Sequence, residues 1–292
     1  MMMIRKRLLP VWFAICLLAV CAQMPQLSHA DSKTYEGSGW ATPEEAVLCY
    51  LEGLKEQDLD KIISAYAVET YTDRFDFQAY LERMRSFNAF LTPRMPNTGG
   101  LLRDMSIIAR KNQIASSLYY QILTICMPGR DFSMAIHLAR EDEGESVTAF
   151  IEEFEGAFGA VDFGTLQFIC FSPPEQFSDL YASEENQEKL KVQSVYYGSD
   201  EVRSACALFL VDRSICILMC DVVRYGDLWY MLRTSGNIGS LMGPMRGLDA
   251  SGGIILIPLD EAKITIPDNA GEVDISVQDI WDDLMDAFFR AP

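Results

Sequence analysis

Apolar residues in this chain recur at helical spacing as far as Met127, and after Gly129 they gather into short runs of strand length. That change of period points to an α+β fold, in which helices and strands occupy different parts of the sequence. The first helix has a clear start at Thr42-Pro43-Glu44-Glu45. Threonine can cap, proline takes a position whose N–H is not needed, and Glu45 can return a bond to the cap. Val47, Tyr50, Leu51 and Leu54 then define one buried face. Asp58 can cap a shorter helix carrying Leu59, Ile62, Ile63 and Tyr66, and a third is expected from about Phe75 to Leu91. Thr92 to Gly100 reads as a loop. The longest helix is predicted over 101–127, with Leu101, Met105, Ile108, Ala115, Tyr119, Ile122 and Cys126 as its core stripe. Arg103, Asp104, Arg110 and Lys111 exclude that stretch from a bilayer.

Strand-like segments follow at 132–139, 165–171, 192–197, 205–211, 215–224 and 228–233, with helical character at 147–158 and 174–191 between them. Asp212-Arg213 and Gly226-Asp227 are turn signals, so the last three of these strands should form an antiparallel meander. In that meander Trp229 and Met231 share a face, and docking it under the first helix against Val47, Tyr50 and Leu54 would bury both surfaces. Short strands are expected at 254–259 and 262–266, and a closing amphipathic helix at 276–289 with Val277, Ile280, Trp281, Leu284 and Phe288 on one side.

Ahead of all this, Arg5, Lys6 and Arg7 precede an apolar run and a Ser28-His29-Ala30 exit, the layout of a signal peptide over residues 1–30. Residues 31–41 read as a flexible tether, and residues 42–292 as a single α+β domain with a helical first half and a β-rich second half. The expected product is secreted or held at the cell envelope, without a transmembrane anchor. The formal charge of −18 becomes −21 once residues 1–30, with three basic and no acidic side chains, are removed. Such a chain is repelled by nucleic acid and by anionic membranes, which leaves an unidentified protein or a small molecule as partner.

The chemistry-bearing residues are sparse. Past residue 30 the only histidine is His137, so zinc sites built from several histidines are excluded. Its apolar setting suggests a structural role. Cys49, Cys126, Cys170, Cys206, Cys216 and Cys220 each lie within an apolar run, which favours buried thiols. If a bridge forms, Cys206 with Cys216 or Cys220 is the pairing that one hairpin allows. Gly236-Asn-Ile-Gly239 and Gly243 match neither the dinucleotide fingerprint nor the P-loop and read as a tight turn. Asp268 to Asp274 lacks the ligand spacing of a calcium loop and reads as an acidic turn. No metal or cofactor is expected. Asp221, within Met219-Cys-Asp-Val-Val223, is the carboxylate in the most apolar context and the candidate catalytic residue.

The segment Thr42-Pro-Glu-Glu-Ala-Val-Leu-Cys-Tyr-Leu-Glu-Gly-Leu-Lys-Glu-Gln-Asp-Leu-Asp-Lys61 resembles the opening of the NTF2-like superfamily, and Tyr225-Gly-Asp-Leu-Trp-Tyr230 resembles its final turn and strand. Ser235 to Gly243 is similar to segments of exported gut Firmicutes proteins. The resemblance implies N-terminal helices packed on a mostly antiparallel, curved sheet, a cone, to which this longer chain adds extra helices and a C-terminal amphipathic helix. That superfamily includes isomerases and dehydratases as well as non-catalytic ligand pockets and assembly modules. The leading expectation is therefore an exported, non-catalytic ligand-binding or protein-interaction module. The alternative is a small-molecule enzyme in which Asp221, with hydroxyls from Tyr66, Tyr119 or Tyr120, performs acid–base chemistry inside the cone.

Overall fold

Helix α1 (Pro43–Glu56) starts where its capping pattern places it. Thr42 Oγ1 accepts the Glu45 N–H at 3.2 Å, and the Glu45 carboxylate accepts the Thr42 N–H at 3.3 Å. The computed structural model describes residues 34–85, 99–130, 138–139, 145–212, 214–241 and 251–258. Within these, α1 is followed by α2 (Leu59–Ser64), α3 (Glu69–Arg74), α4 (Phe77–Met84) and the long α5 (Gly100–Cys126). Two-residue strands β1 (Leu138–Ala139) and β2 (Glu145–Ser146) then lead into α6 (Val147–Ala160) and β3 (Gln167–Ser172). Helix α7 (Glu184–Tyr197) precedes the meander β4 (Glu201–Val211), β5 (Ser214–Tyr225) and β6 (Leu228–Thr234), and α8 (Gly236–Leu241) and β7 (Ile254–Pro258) close the described order.

The architecture is α+β, with helices on a curved antiparallel sheet in the order β3-β4-β5-β6. β7 lies on the same side of β5 as β6, pairing with residues 214–218 while β6 pairs with 220–225. At the join, Met219 accepts the Ser235 N–H at 2.7 Å and donates its own N–H to Gly253 O at 2.9 Å. Bulges between Phe168 and Cys170 and between Asp221 and Val222 break the register, which bends strands and increases local twist.

Both faces of the sheet are covered. Ala207, Phe209, Cys216, Leu218, Cys220, Val222, Trp229 and Met231 pack with α1, α2 and α5, and Cys206, Leu208, Ile217, Met219, Val223 and Leu232 pack with α7 and the short helices on the other side. Trp229 is buried in one cluster with Val47, Tyr50 and Leu54, as its place in the meander predicts. This division also separates the thiols. Cys206 lies in the register opposite Met219, on the face away from Cys216 and Cys220, so the hairpin does not bring either of them to it. All six cysteines of the described residues are free.

Several expectations are corrected. Residues 192–197 form the second half of α7, not a strand. Ser183 caps that helix, Leu190, Gln193 and Tyr197 bury one side of it, and Gly198 ends it in the left-handed region. The third expected helix is α4, which starts at Phe77 because the Asp76 carboxylate accepts the Ala79 N–H; the short α3 before it was not expected, and residues 86–91 lie outside the described residues. The folded unit begins at Tyr35, so the stretch up to residue 41 is not a free tether. Trp40 exchanges two backbone bonds with Trp229, and the Glu36 carboxylate accepts the Val68 and Thr70 N–H groups at the start of α3. The expected signal peptide, His137, the acidic turn at 268–274, the strand at 262–266 and the C-terminal helix lie outside the described residues.

Up to Gln121 the buried face of α5 is displaced by about one residue from the expected stripe, whereas Ile122 and Cys126 pack on the core as expected. Leu101, Met105, Ile108 and Tyr119 are 74%, 49%, 58% and 50% exposed, while Ile107, Arg110, Ile114, Leu118 and Gln121 point inward. The inward face has internal partners for its two polar members, and that decides the rotation of the helix. Gln121 accepts a hydrogen bond from Tyr50 Oη and donates through Nε2 to Gly252 O at 2.7 Å, tying α5 to α1 and to the start of β7.

Truncating Trp229 to alanine should destabilise the fold by about 3–5 kcal/mol, the range for removing a buried large aromatic. Urea unfolding of the variant measures this. A loss below about 1 kcal/mol would mean that the contact with α1 contributes little.

Candidate functional site

Asp221 sits near the middle of β5, fully buried, on the face covered by α7 and α8. Burial of a carboxylate is tolerable only where donors replace water. Ser204 Oγ donates to Oδ1 at 2.9 Å, Arg233 Nε donates to Oδ2 at 2.8 Å, and the Asn237 N–H lies 2.9 and 3.0 Å from the two oxygens. A second layer orients these donors. The Ser204 N–H donates to Tyr181 Oη at 3.0 Å, and Asn237 Nδ2 donates to Asn186 Oδ1 at 2.9 Å. Gly236 is required where the chain turns into α8: its φ is +62°, and an added Cβ would lie 2.5 Å from Asp221 Oδ1. The glycine-containing segment is thus a short helix entered through two left-handed residues, Ser235 and Gly236, and not only a tight turn. The anion its backbone receives is the protein's own carboxylate.

Arg233 joins this buried network to a cavity of about 330 Å³. Helix α5 supplies Arg110, Gln113, Ile114 and Ser117 to its wall, and the end of β6 supplies Leu232, Arg233 and Thr234. Ser235, Gly236 and Ser240 complete it with Tyr66 and Gly252. Gly252, at φ +65°, allows the chain before β7 to come against α5; a Cβ there would lie 2.3 Å from Ser117 O.

Arg110 is buried and donates to three neutral oxygens: Ala67 O at 3.3 Å, Gln113 Oε1 at 3.0 Å and Leu232 O. Leu232 is the bulge residue of β6, without a partner in the β5 register, which leaves its carbonyl to the arginine. The guanidinium also lies over the Tyr71 ring at 4.6 Å and the Tyr66 ring at 6.0 Å. Burial pulls its pKa below the ordinary arginine value, partly opposed by the surrounding tyrosines. For Arg233, with a third of its side chain exposed, burial also acts against the charge, but Asp221 outweighs it and the pKa is raised. Burial drives the Tyr66 phenol well above its ordinary value, so this hydroxyl stays neutral.

Of the residues predicted from sequence, the structure brings Tyr66 to the cavity wall but places Asp221 behind it, and it puts Tyr119 and Tyr120 on the exposed side of α5. Arg110 and Arg233 were not foreseen as site residues. Counting back from the Gly226-Asp227 turn sets Leu232 opposite Asp221, and only the bulge brings Arg233 there. Among the described residues, no three His, Cys, Asp or Glu side chains converge as a metal site, and no helix is long and apolar enough to cross a membrane.

No protein-family model and no curated protein matches the sequence. Among solved structures, a cystatin-like protein from Ruminococcus gnavus aligns at 14% identity with a TM-score of 0.36, covering 65% of this chain. The chain spans 39% of that protein's length.

Replacing Asp221 with alanine should destabilise the protein by about 3–5 kcal/mol, because Arg233, Ser204 and the Asn237 N–H would each lose their acceptor. Denaturant unfolding tests this structural role. A midpoint that stays unchanged or rises would contradict it.

Proposed function

We propose that this protein is an exported, non-catalytic ligand-binding module of the cell envelope, with its ligand seated in the cavity beside Arg110 and Arg233. One observation carries the reading: the carboxylate that acid–base chemistry would use is held by three protein donor groups, whereas the described residues lining the cavity include no carboxylate, thiol or imidazole. The wall offers donors and a neutral tyrosine, a set suited to holding a molecule and poor at moving its protons. The volume falls within the roughly 300–1,000 Å³ of small-molecule sites. The signal-like arrangement of residues 1–30 and the acidic charge of the remainder support export. The resemblance of residues 42–61 and 225–230 to NTF2-like domains supports the same reading at the level of fold analogy, since pockets without catalysis occur in that superfamily.

Binding is tested by titrating isotope-labelled protein with a library of small polar metabolites and following the amide signals of Ser117, Thr234 and Ser235. The reading expects saturable shifts at these positions and recovery of each ligand chemically unchanged. A compound that is converted by the native protein and spared by Asp221→Asn would establish the isomerase or dehydratase alternative instead.

Export is tested by N-terminal sequencing of protein recovered outside the cytoplasm, where the first residue is expected to be Asp31. A chain recovered only from the cytoplasm, or one that starts at a lipidated Cys21, would overturn release by a signal peptide.

A further inference from the structure

We propose that the cavity between α5 and the end of β6 is an oxyanion site. Its ligand is a small organic molecule with one carboxylate or phosphate group, received by Arg233 with Arg110 behind it. This rests on the ligand-binding reading above and adds the chemical class of the ligand.

The charges on the wall make the case. Two arginines contribute, and among the described residues the single carboxylate in contact with either is Asp221, on Arg233. Among the described residues no acidic side chain pairs with Arg110, whose acceptors are two backbone carbonyls and a glutamine oxygen. A buried guanidinium with only neutral acceptors retains most of its desolvation penalty, and an anion in the cavity would relieve it. Counted over the described residues, the site therefore carries one positive charge beyond its internal pair, in a chain whose formal charge is −18.

Geometry supports the same ligand. Asp221 engages Arg233 through Nε at 2.8 Å, and among the described residues the terminal nitrogens of that guanidinium have no acceptor. Those nitrogens form the planar edge that recognises carboxylate and phosphate oxygens in pairs. Ser117, Thr234 and Ser240 line the same space. The N–H of Asn237 is already occupied by Asp221, so the arginines, and not the start of α8, must receive the anion. At about 330 Å³ the cavity is also far larger than a bare ion, so the ligand has an uncharged body that can reach Gln113 and Ile114.

The test is a titration of the full chain with glycerol 3-phosphate, with 3-hydroxybutyrate and with glycerol, followed through the Nε–H signals of Arg110 and Arg233 and the amides of the cavity wall. The anionic probes should produce saturable shifts of both arginines, and whichever binds more tightly identifies phosphate or carboxylate as the preferred group. Glycerol should leave both arginine signals in place. Ser240→Glu sets a negative charge on an exposed wall residue without touching Asp221, so it should weaken the anionic probes by about tenfold with an unchanged unfolding midpoint. Arg233→Lys should weaken them similarly, because it keeps the charge and loses the fork. Glycerol binding as well as its phosphate, or anion binding unaffected by Ser240→Glu, would overturn the oxyanion assignment and leave the ligand-binding reading intact. No shift at any wall amide with any of the three probes would overturn the oxyanion assignment, and the library titration above then decides separately whether the cavity takes a ligand at all.

Discussion

A carboxylate without access to water, set in a strand buried on both faces, is the constraint on which much of this structure depends. β5 has β4 on one side, β6 and β7 on the other, and helices above and below. Almost any charged residue in such a position would be expelled or neutralised. Asp221 stays because several elements converge on it: Ser204 from β4, Arg233 from β6 and the backbone of Asn237 from α8. The requirement propagates outward. Position 236 must be glycine so that the chain can pass the carboxylate, and the short helix that follows is held to β5 by the bond it gives.

The same strand explains why a cavity exists there. β5 is longer than either neighbour on its far side, so β6 and β7 share its length and leave a join at Met219. Chain segments leave and enter the sheet at that join. Arg110 and Gln121 of α5 bond to backbone carbonyls exposed by the interruption, Leu232 at the bulge and Gly252 just before β7. A continuous sheet edge would have used those carbonyls in its ladder. The break in the sheet thus supplies the acceptors that let a polar helix face turn inward, and the polar face gives the cavity its character.

The two arginines illustrate different uses of one side chain. Arg233 is the counter-ion of a buried acid and keeps part of its guanidinium at the cavity. Arg110 has no such acid among the described residues and is held by carbonyls, an amide and two aromatic rings. In a strongly acidic chain, two arginines in one recess give that recess a local charge opposite in sign to the formal charge of the whole.

The sequence by itself determined the elements whose cause is local. The capping box at Thr42 and Glu45 and the apolar face of α1 are set by side chains within a few residues of each other. The meander follows from apolar runs separated by short turn signals, the burial of Trp229 from the face it shares with Met231 on the last of those strands, and the α+β order from the change of spacing near Gly129. What depended on distant partners was decided only in the tertiary structure. The rotation of α5 could not be read from periodicity, because apolar residues occur on two sides of that helix and the choice was made by carbonyls on β6 and before β7 that suit Arg110 and Gln121. Residues 192–197 have strand-like composition, yet a cap nine residues upstream at Ser183 and a packing surface on the sheet make them helical. The stretch before Thr42 has the composition of a linker, but Glu36 and Trp40 find their partners on α3 and β6. Asp221 was legible as an unusual residue and not as a satisfied one, since a one-residue bulge in β6 substitutes Arg233 for Leu232 opposite it. Local sequence carries propensity and period; register, and therefore which charges meet, exists only once the strands have paired.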